Sequence, residues 1–441
     1  MKSVFGGIVV VAFFVAGSAW ALDATPDLDR LVTSSSVWNE SAADFMLAYT
    51  PMGFGYMSQQ RDSAHSVDKR LTFNGQRVWE ALVYFETGTI KRVELSVFNR
   101  GDSGTMEEAT FQQLCKTLSD GLTKWAGNTG NPVEETVKDR ASCVTRTHTW
   151  IKAPSALQLS WAYVEPRRQN GESMPFRSEF VKVILLRINN DMQVVKDSTT
   201  VDWMQGASTL SIKKHVKKSD SGDVGIDGFP MVDQGKKGYC AAASAERMLR
   251  YYGRSVDQHQ IAQLADTAAK EGTSQDGMIK ALEAIGQHYS MDFKALIGLD
   301  WKRLSHLVDE YNTAARGAGK PTVELGHVVN VTQLYSEMDA ATLRKAKVRQ
   351  TQEETQFKNH VKAYTAEGVP LVWSCIVGKF PEVPPINPPG TYGHIRMIIG
   401  YNDKTSEVLY TDSWGPGHEL KRIPFDDAFT MTLGLHVLKP R

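Results

Sequence analysis

The chain has 441 residues, enough for roughly two or three domains with cores of their own, and its 50 Lys and Arg residues are balanced by 50 Asp and Glu. That balance provides no electrostatic footprint for a nucleic-acid partner or an anionic membrane surface. Four cysteines, without a Cys-x-x-Cys or His-Glu-x-x-His pattern, lend no support to a metal site, and no cofactor is expected.

At the start, Lys2 precedes an apolar run from Val4 to Ala16, followed by Ala19-Trp20-Ala21. A charged n-region, a short h-region and a small-x-small site predict a signal peptide over 1–21, cleaved after Ala21, with export to the periplasm or the medium. No other stretch is long and apolar enough to span a bilayer. Residues 22–69 carry aromatic clusters but no motif with a chemical role. Residues 70–190 read as an α+β domain. Ala81–Phe85 and Val93–Phe98 flank the turn Thr87-Gly88-Thr89 as a hairpin. Thr105 and Glu108 form a capping-box pattern, and Phe111, Leu114, Cys115, Leu118, Leu122 and Trp125 then line one helical face. Strand-like runs return at 142–151, 156–164 and 179–188. Cys115 and Cys143 are either a disulfide of an exported protein or two buried thiols. Residues 191–223, with Lys213, Lys214, Lys217 and Lys218, read as a linker, either a solvated connector or a processing site.

Residues 228–253 change texture at Cys240. A glycine-punctuated loop precedes it. Ala241, Ala245, Met248, Leu249 and Tyr252 follow at helical spacing, with Gly253 as the stop. Cys240 is therefore expected in the first turn of a helix, where backbone N–H groups and the helix dipole favour a thiolate. Helices are also expected from Asp257, from Thr273 or Asp276 to Gly286, over 301–316 and over 338–366, which is highly charged and expected to face solvent. Val369–Val377 is a buried-strand candidate with Cys375 as a core thiol. The Pro-rich stretch Phe380–Gly390 is neither helix nor central strand and is expected as a stiff loop leading into His394. A strand from His394 to Tyr401, a turn at 402–405 and a strand from Glu407 to Asp412 would bring His394 and Asp412 to the same end of a hairpin. Those are the positions that an imidazole base and its orienting carboxylate need. His259, His288, His306, His327, His360 and His418 lack such context and read as structural or surface residues.

The order Gln234, Cys240, His394, Asp412 resembles that of papain-like cysteine peptidases. Gln234 stands six residues before Cys240, the family's spacing for its oxyanion-hole glutamine. Gly393-His394 running to Gly400-Tyr401, and Asp412-Ser413-Trp414-Gly415, are similar to the family's histidine strand and Asn-Ser-Trp-Gly segment. Phe229-Pro230-Met231-Val232 with Gln234, and Met248-Leu249-Arg250-Tyr251-Tyr252-Gly253, look more like the bacterial branch, which includes the peptidases that process bacteriocin leaders and their free-standing relatives. An Asp as third member fits that branch, whereas Ala241-Ala242-Ala243-Ser244 replaces the Gly-Pro of many of its members. The resemblance covers 224–441. It implies an α+β chain whose papain-like C-terminal domain carries the cysteine at a helix N-terminus and the histidine and aspartate on an antiparallel sheet. A separate α+β domain would precede it, and a helical insertion would occupy about 300–365.

The resemblance implies that Cys240 is the nucleophile, His394 its base and Asp412 the orienter of the imidazole. The Gln234 amide and the Cys240 backbone N–H would form the oxyanion hole, and Trp414 would cover the His–Asp pair. The expected function is an exported endopeptidase with a protein or peptide substrate. The alternatives are an amidase or transglutaminase-like acyl transferase on the same frame, or a catalytically silent binding protein. The N-terminal region would bind the catalytic domain or a partner, as an inhibitory pro-region or to present substrates.

Overall fold

The computed structural model describes residues 28–127, 131–138, 143–169, 172–188, 212–234, 240–253, 261, 275–288, 290–326 and 329–441. The expected signal peptide, residues 191–211 of the expected linker, His259, His327 and most of the helix expected from Asp257 lie outside these residues.

Among the described residues, two eight-stranded antiparallel sheets organise the chain. The first runs from the edge strand Gly55–Tyr56 through Ser63–Ser66, Glu80–Glu86, Thr89–Asn99, Arg177–Arg187, Ser155–Val164 and Cys143–Lys152 to Val133–Lys138. Side chains alternate across each strand. Ala81, Val83 and Phe85 are buried on one face. The helix Glu108–Ala126 packs on strands Cys143–Lys152, Ser155–Val164 and Arg177–Arg187, burying Phe111, Cys115, Leu118, Leu122 and Ala126. The expected capping box is not made: Glu107 is the N-cap, without a side-chain bond. The positive φ of Gly104 and the grip of Ser178 Oγ on the Met106 N–H at 2.9 Å set the chain's entry instead.

Residues 28–69 are not a separate segment. Leu28, Leu31, Val32, Val37, Trp38 and Phe45 are buried in the same core as the helix and sheet, because the short helices Asp29–Thr33 and Ala42–Tyr49 present too little apolar surface to form a core alone. The Trp38 indole donates to Ser155 Oγ at 2.8 Å, across the domain. Cys115 and Cys143 are buried thiols that belong to different apolar clusters.

The second sheet begins inside the expected linker. Val216–Lys218 and Asp223–Ile226 pair with each other, and the latter pairs with Tyr392–Asn402. Half-buried Val216 followed by exposed Lys217 and Lys218 suits an edge, where lysines discourage further pairing. Beyond the histidine strand Tyr392–Asn402 come Leu371–Val377, Thr432–Pro440 and Met291–Ile297, and the aspartate strand Glu407–Thr411 pairs both the histidine strand and Lys421–Pro424. The helix Cys240–Tyr251 packs on the histidine strand.

The helical insertion is shorter than expected. Trp301–Ala318, Val331–Glu337 and Ala340–Val348 share a core of their own against Ile376 and Leu433. The charged stretch 338–366 is two helices, not one: Asp339 caps Ala340–Val348, and a second helix runs over Thr351–Thr365 with Glu353 and Glu354 in its first turn. Nor does that second helix merely face solvent, since Phe357 and Val361 are fully buried in the main core of the sheet.

Candidate active site

The site forms where the cysteine helix meets the histidine and aspartate strands. Cys240 is the first described residue of its helix and is partly exposed. Burial pushes its thiol up, but a hydrogen bond and the charge of His394, with the Ile395 and Ala241 N–H groups, outweigh that and draw it below the ordinary value.

His394 lies on the strand Tyr392–Asn402, paired with Cys375 of the neighbouring strand. The histidine and aspartate strands pair from Asn402–Glu407 to Met397–Thr411, with a bulge at Ile398/Gly400. His394 and Asp412 come just beyond the last pair, and His394 Nε2 is 2.9 Å from Asp412 Oδ1. With Nε2 on the carboxylate, Nδ1 is the atom left for the sulfur. Burial lowers the His394 pKa, yet the hydrogen bonds to Asp412 and Cys240 raise it overall. Thiol down and imidazole up are the shifts of a thiolate–imidazolium pair. The Trp414 indole stacks on His394 with ring centroids 4.3 Å apart and 11° between planes.

Gln234 sits beside these groups. Its backbone N–H donates to the Ser413 carbonyl at 2.9 Å, and its side-chain Oε1 accepts from Ser413 Oγ at 2.7 Å. That second bond assigns the oxygen end of the amide to Ser413, so the nitrogen end is the donor to whatever lies on the other side.

Beneath the pair lies a charge network that sequence reasoning missed. Arg396 Nε donates to Asp412 Oδ1 at 3.0 Å, and its two Nη atoms grip Glu382 at 3.0 and 2.8 Å. Lys421 Nζ reaches Glu382 Oε2 at 2.8 Å and Asp412 Oδ2 at 3.4 Å. The Tyr410 hydroxyl adds a bond of 2.7 Å to Glu382. All four charged side chains are buried. Burial would raise the Asp412 carboxyl, but Arg396, His394 and Lys421 hold it well below the usual range, so it stays ionised. Arg247, on the cysteine helix, donates to the carbonyls of Asp412 at 2.6 Å and Pro230 at 2.7 Å, and to Thr411 Oγ1. A readable signal did exist: Arg396 follows His394 by two residues, on the same face of an otherwise apolar strand. Glu382 had no such signal, because it comes from the Pro-rich loop, whose carboxylate turns inward.

Cys375 is a fully buried thiol whose ionisation burial opposes. His418 is buried with its ring edge-on to Trp414, at 5.5 Å between centroids. Among the described residues no cluster of His, Cys, Asp and Glu could hold a metal ion, and no helix is long and apolar enough to cross a membrane.

A model of the Peptidase_C39 like family matches residues 226–432, the stretch that carries all of these groups. The match relates this part of the chain to cysteine peptidases. No curated protein matches the chain.

Proposed function

We propose that the protein is an exported cysteine endopeptidase that hydrolyses peptide bonds through a thioester on Cys240. The supporting observation is a hydrogen-bonded relay from Cys240 through His394 to Asp412, with the thiol pKa drawn down and the imidazole pKa drawn up. In this reading the Cys240 thiolate attacks the scissile carbonyl carbon. The Gln234 amide and the Cys240 N–H receive the oxyanion, and imidazolium His394 gives its proton to the leaving amine nitrogen. Water, deprotonated by His394, then attacks the thioester carbon, releasing a carboxylate and restoring the thiolate. Asp412 holds the imidazole tautomer and offsets its charge, and Trp414 shields the pair from water. Export rests on the Lys2-to-Ala21 pattern, with cleavage after Ala21.

The test uses reduced protein lacking residues 1–21 beside its Cys240→Ala variant, each incubated with an unfolded protein mixture, with new termini read by mass spectrometry. New carboxyl termini from the parent alone are expected. New amide linkages in place of carboxylates would move the reading to acyl transfer, and no new product from either protein would overturn it.

A further inference from the structure

One face of the first sheet is charged yet buried. Glu80, Glu94 and Lys182 are 2%, 6% and 7% exposed, and they occupy the strand positions that an isolated sheet would turn to solvent. What covers this face is the C-terminal half. The Arg250 guanidinium, on the cysteine helix, donates to the Tyr84 hydroxyl at 2.7 Å. Arg250 also pairs with Glu246 one turn earlier. At the end of the same face stands His65, with Nδ1 3.6 Å from Glu80 Oε1 and Nε2 3.4 Å from Asp233 Oδ2.

Asp233 immediately precedes Gln234. Its carboxylate also lies against Gly415, where φ is 77° and an added Cβ would come within 2.7 Å of Asp233 Oδ2. The turn after Trp414 is thus fitted to Asp233, while Gln234 is bonded twice to Ser413. The same turn is held a second time: the Gln59 N–H donates to Glu419 Oε1 at 2.7 Å, and Glu419 Oε2 accepts from the Gly417 N–H at 2.8 Å. An inhibitory pro-region would occupy the cleft. Among the described residues, the groups engaged here are Asp233, Glu246, Arg250 and Glu419, which flank Cys240 and His394 without including them.

We propose that the N-terminal half is a buttress of the catalytic loops and not a removable inhibitor, with His65 a positioning residue that holds Gln234 in place through Asp233. The proposal rests on the peptidase reading. An oxyanion donor acts on the transition state and not on the bound substrate, so loosening its support lowers kcat and spares KM. The thiolate pair is built on other residues, so its reactivity is unaffected.

The experiment compares the full-length protein with its His65→Asn and Asp233→Asn variants. Asp233→Asn keeps size and hydrogen-bonding capacity and covers the case in which His65→Asn fails to fold. Three quantities are read: kcat and KM on a peptide that the parent cleaves, the rate of Cys240 carboxymethylation by iodoacetamide, and amide exchange over 228–234. The expected result is a fall in kcat of about tenfold or more, against the 10²–10³ typical of losing a donor outright. KM and carboxymethylation should stay within about twofold, and exchange over 228–234 should quicken. Unchanged kcat in both variants overturns the proposal. So does a parallel fall of kcat and carboxymethylation, which would mean a general disturbance of the site. If the parent cleaves nothing although Cys240 is readily carboxymethylated, the peptidase reading fails by itself. Exchange then decides: quickening over 228–234 in both variants upholds the positioning role, and unchanged exchange removes it.

Discussion

The cysteine helix touches two clusters of buried charge that solve the same problem differently. In the first, Arg396 and Lys421 face Asp412 and Glu382, two cations against two anions, all within the second sheet and the loop that closes it. Direct hydrogen bonds meet nearly every charge, and Asp412 and Glu382 are both held ionised. In the second, Glu94 and Lys182 from the first sheet meet Glu246 and Arg250 from the helix. Burial there outweighs the attraction of Glu94 and pulls the Lys182 ammonium down to about 8. A cluster built within one sheet is preorganised before any substrate arrives. A cluster assembled from two halves depends on docking, as inter-domain surfaces commonly do.

Substitutions can break or sharpen that contrast. The largest effect should come from the reacting pair: Cys240→Ala or His394→Ala is expected to lower peptide hydrolysis by on the order of 10⁴ or more, read by product release. Asp412→Asn should cost roughly 10²–10⁴ in kcat, because it removes the charge that both the imidazolium and Arg396 face. Next comes the frame itself. Arg396→Met leaves Glu382 and Asp412 without their guanidinium and should lose about 3–5 kcal/mol in urea unfolding, while adding Glu382→Leu should restore much of it. A cost below about 1 kcal/mol would erase the distinction between the two clusters.

The interface should respond to pH. Burial lowers the His65 imidazole pKa, but the carboxylates of Asp233 and Glu80 on either side lift it to about 9. A folded-state pKa above the ordinary value means that its stabilisation is complete below pH 6.5 and fades as pH rises towards 9. The wild type should therefore lose on the order of 2–3 kcal/mol over that range, a loss missing from His65→Asn, as Tm measured across pH would show. The smallest effect is expected from Tyr84→Phe, which removes one acceptor of Arg250 and leaves Glu246, and should cost about 1–2 kcal/mol, with kcat nearly unchanged.

Local signals carried much of what was legible without coordinates. The helix after Cys240 was visible from its apolar spacing and from Gly253. The strands on either side of the turn read at 402–405 were visible from their apolar runs and polar turn, and Gln234, Cys240, His394, Asp412 and Trp414 stood out by order and neighbours. The helix and the hairpin depend on bonds within a few residues, where pattern and geometry are nearly the same thing. The failures came where local propensity competes with burial. The lysine-rich stretch at 213–218 looked like a tether because an edge strand is also polar. Residues 338–366 looked like one surface helix because the polar residues that cap and divide it resemble an exposed face.

The sequence by itself determined the helix after Cys240, the hairpin that carries His394 and Asp412 at one end, and the order of Gln234, Cys240, His394 and Asp412. Only the tertiary structure decided which charges are buried. Glu382 turns in from a proline-rich loop to meet Arg396, and Glu80, Glu94 and Lys182 occupy positions that alternation alone would assign to water. The cost of burying an ion is offset by partners far away in the chain. Glu382 and Lys421 are 39 residues apart, and Tyr84 and Arg250 are 166 apart. No periodicity within a strand reports such a partner, so these contacts appear only when distant strands, loops and helices are packed together.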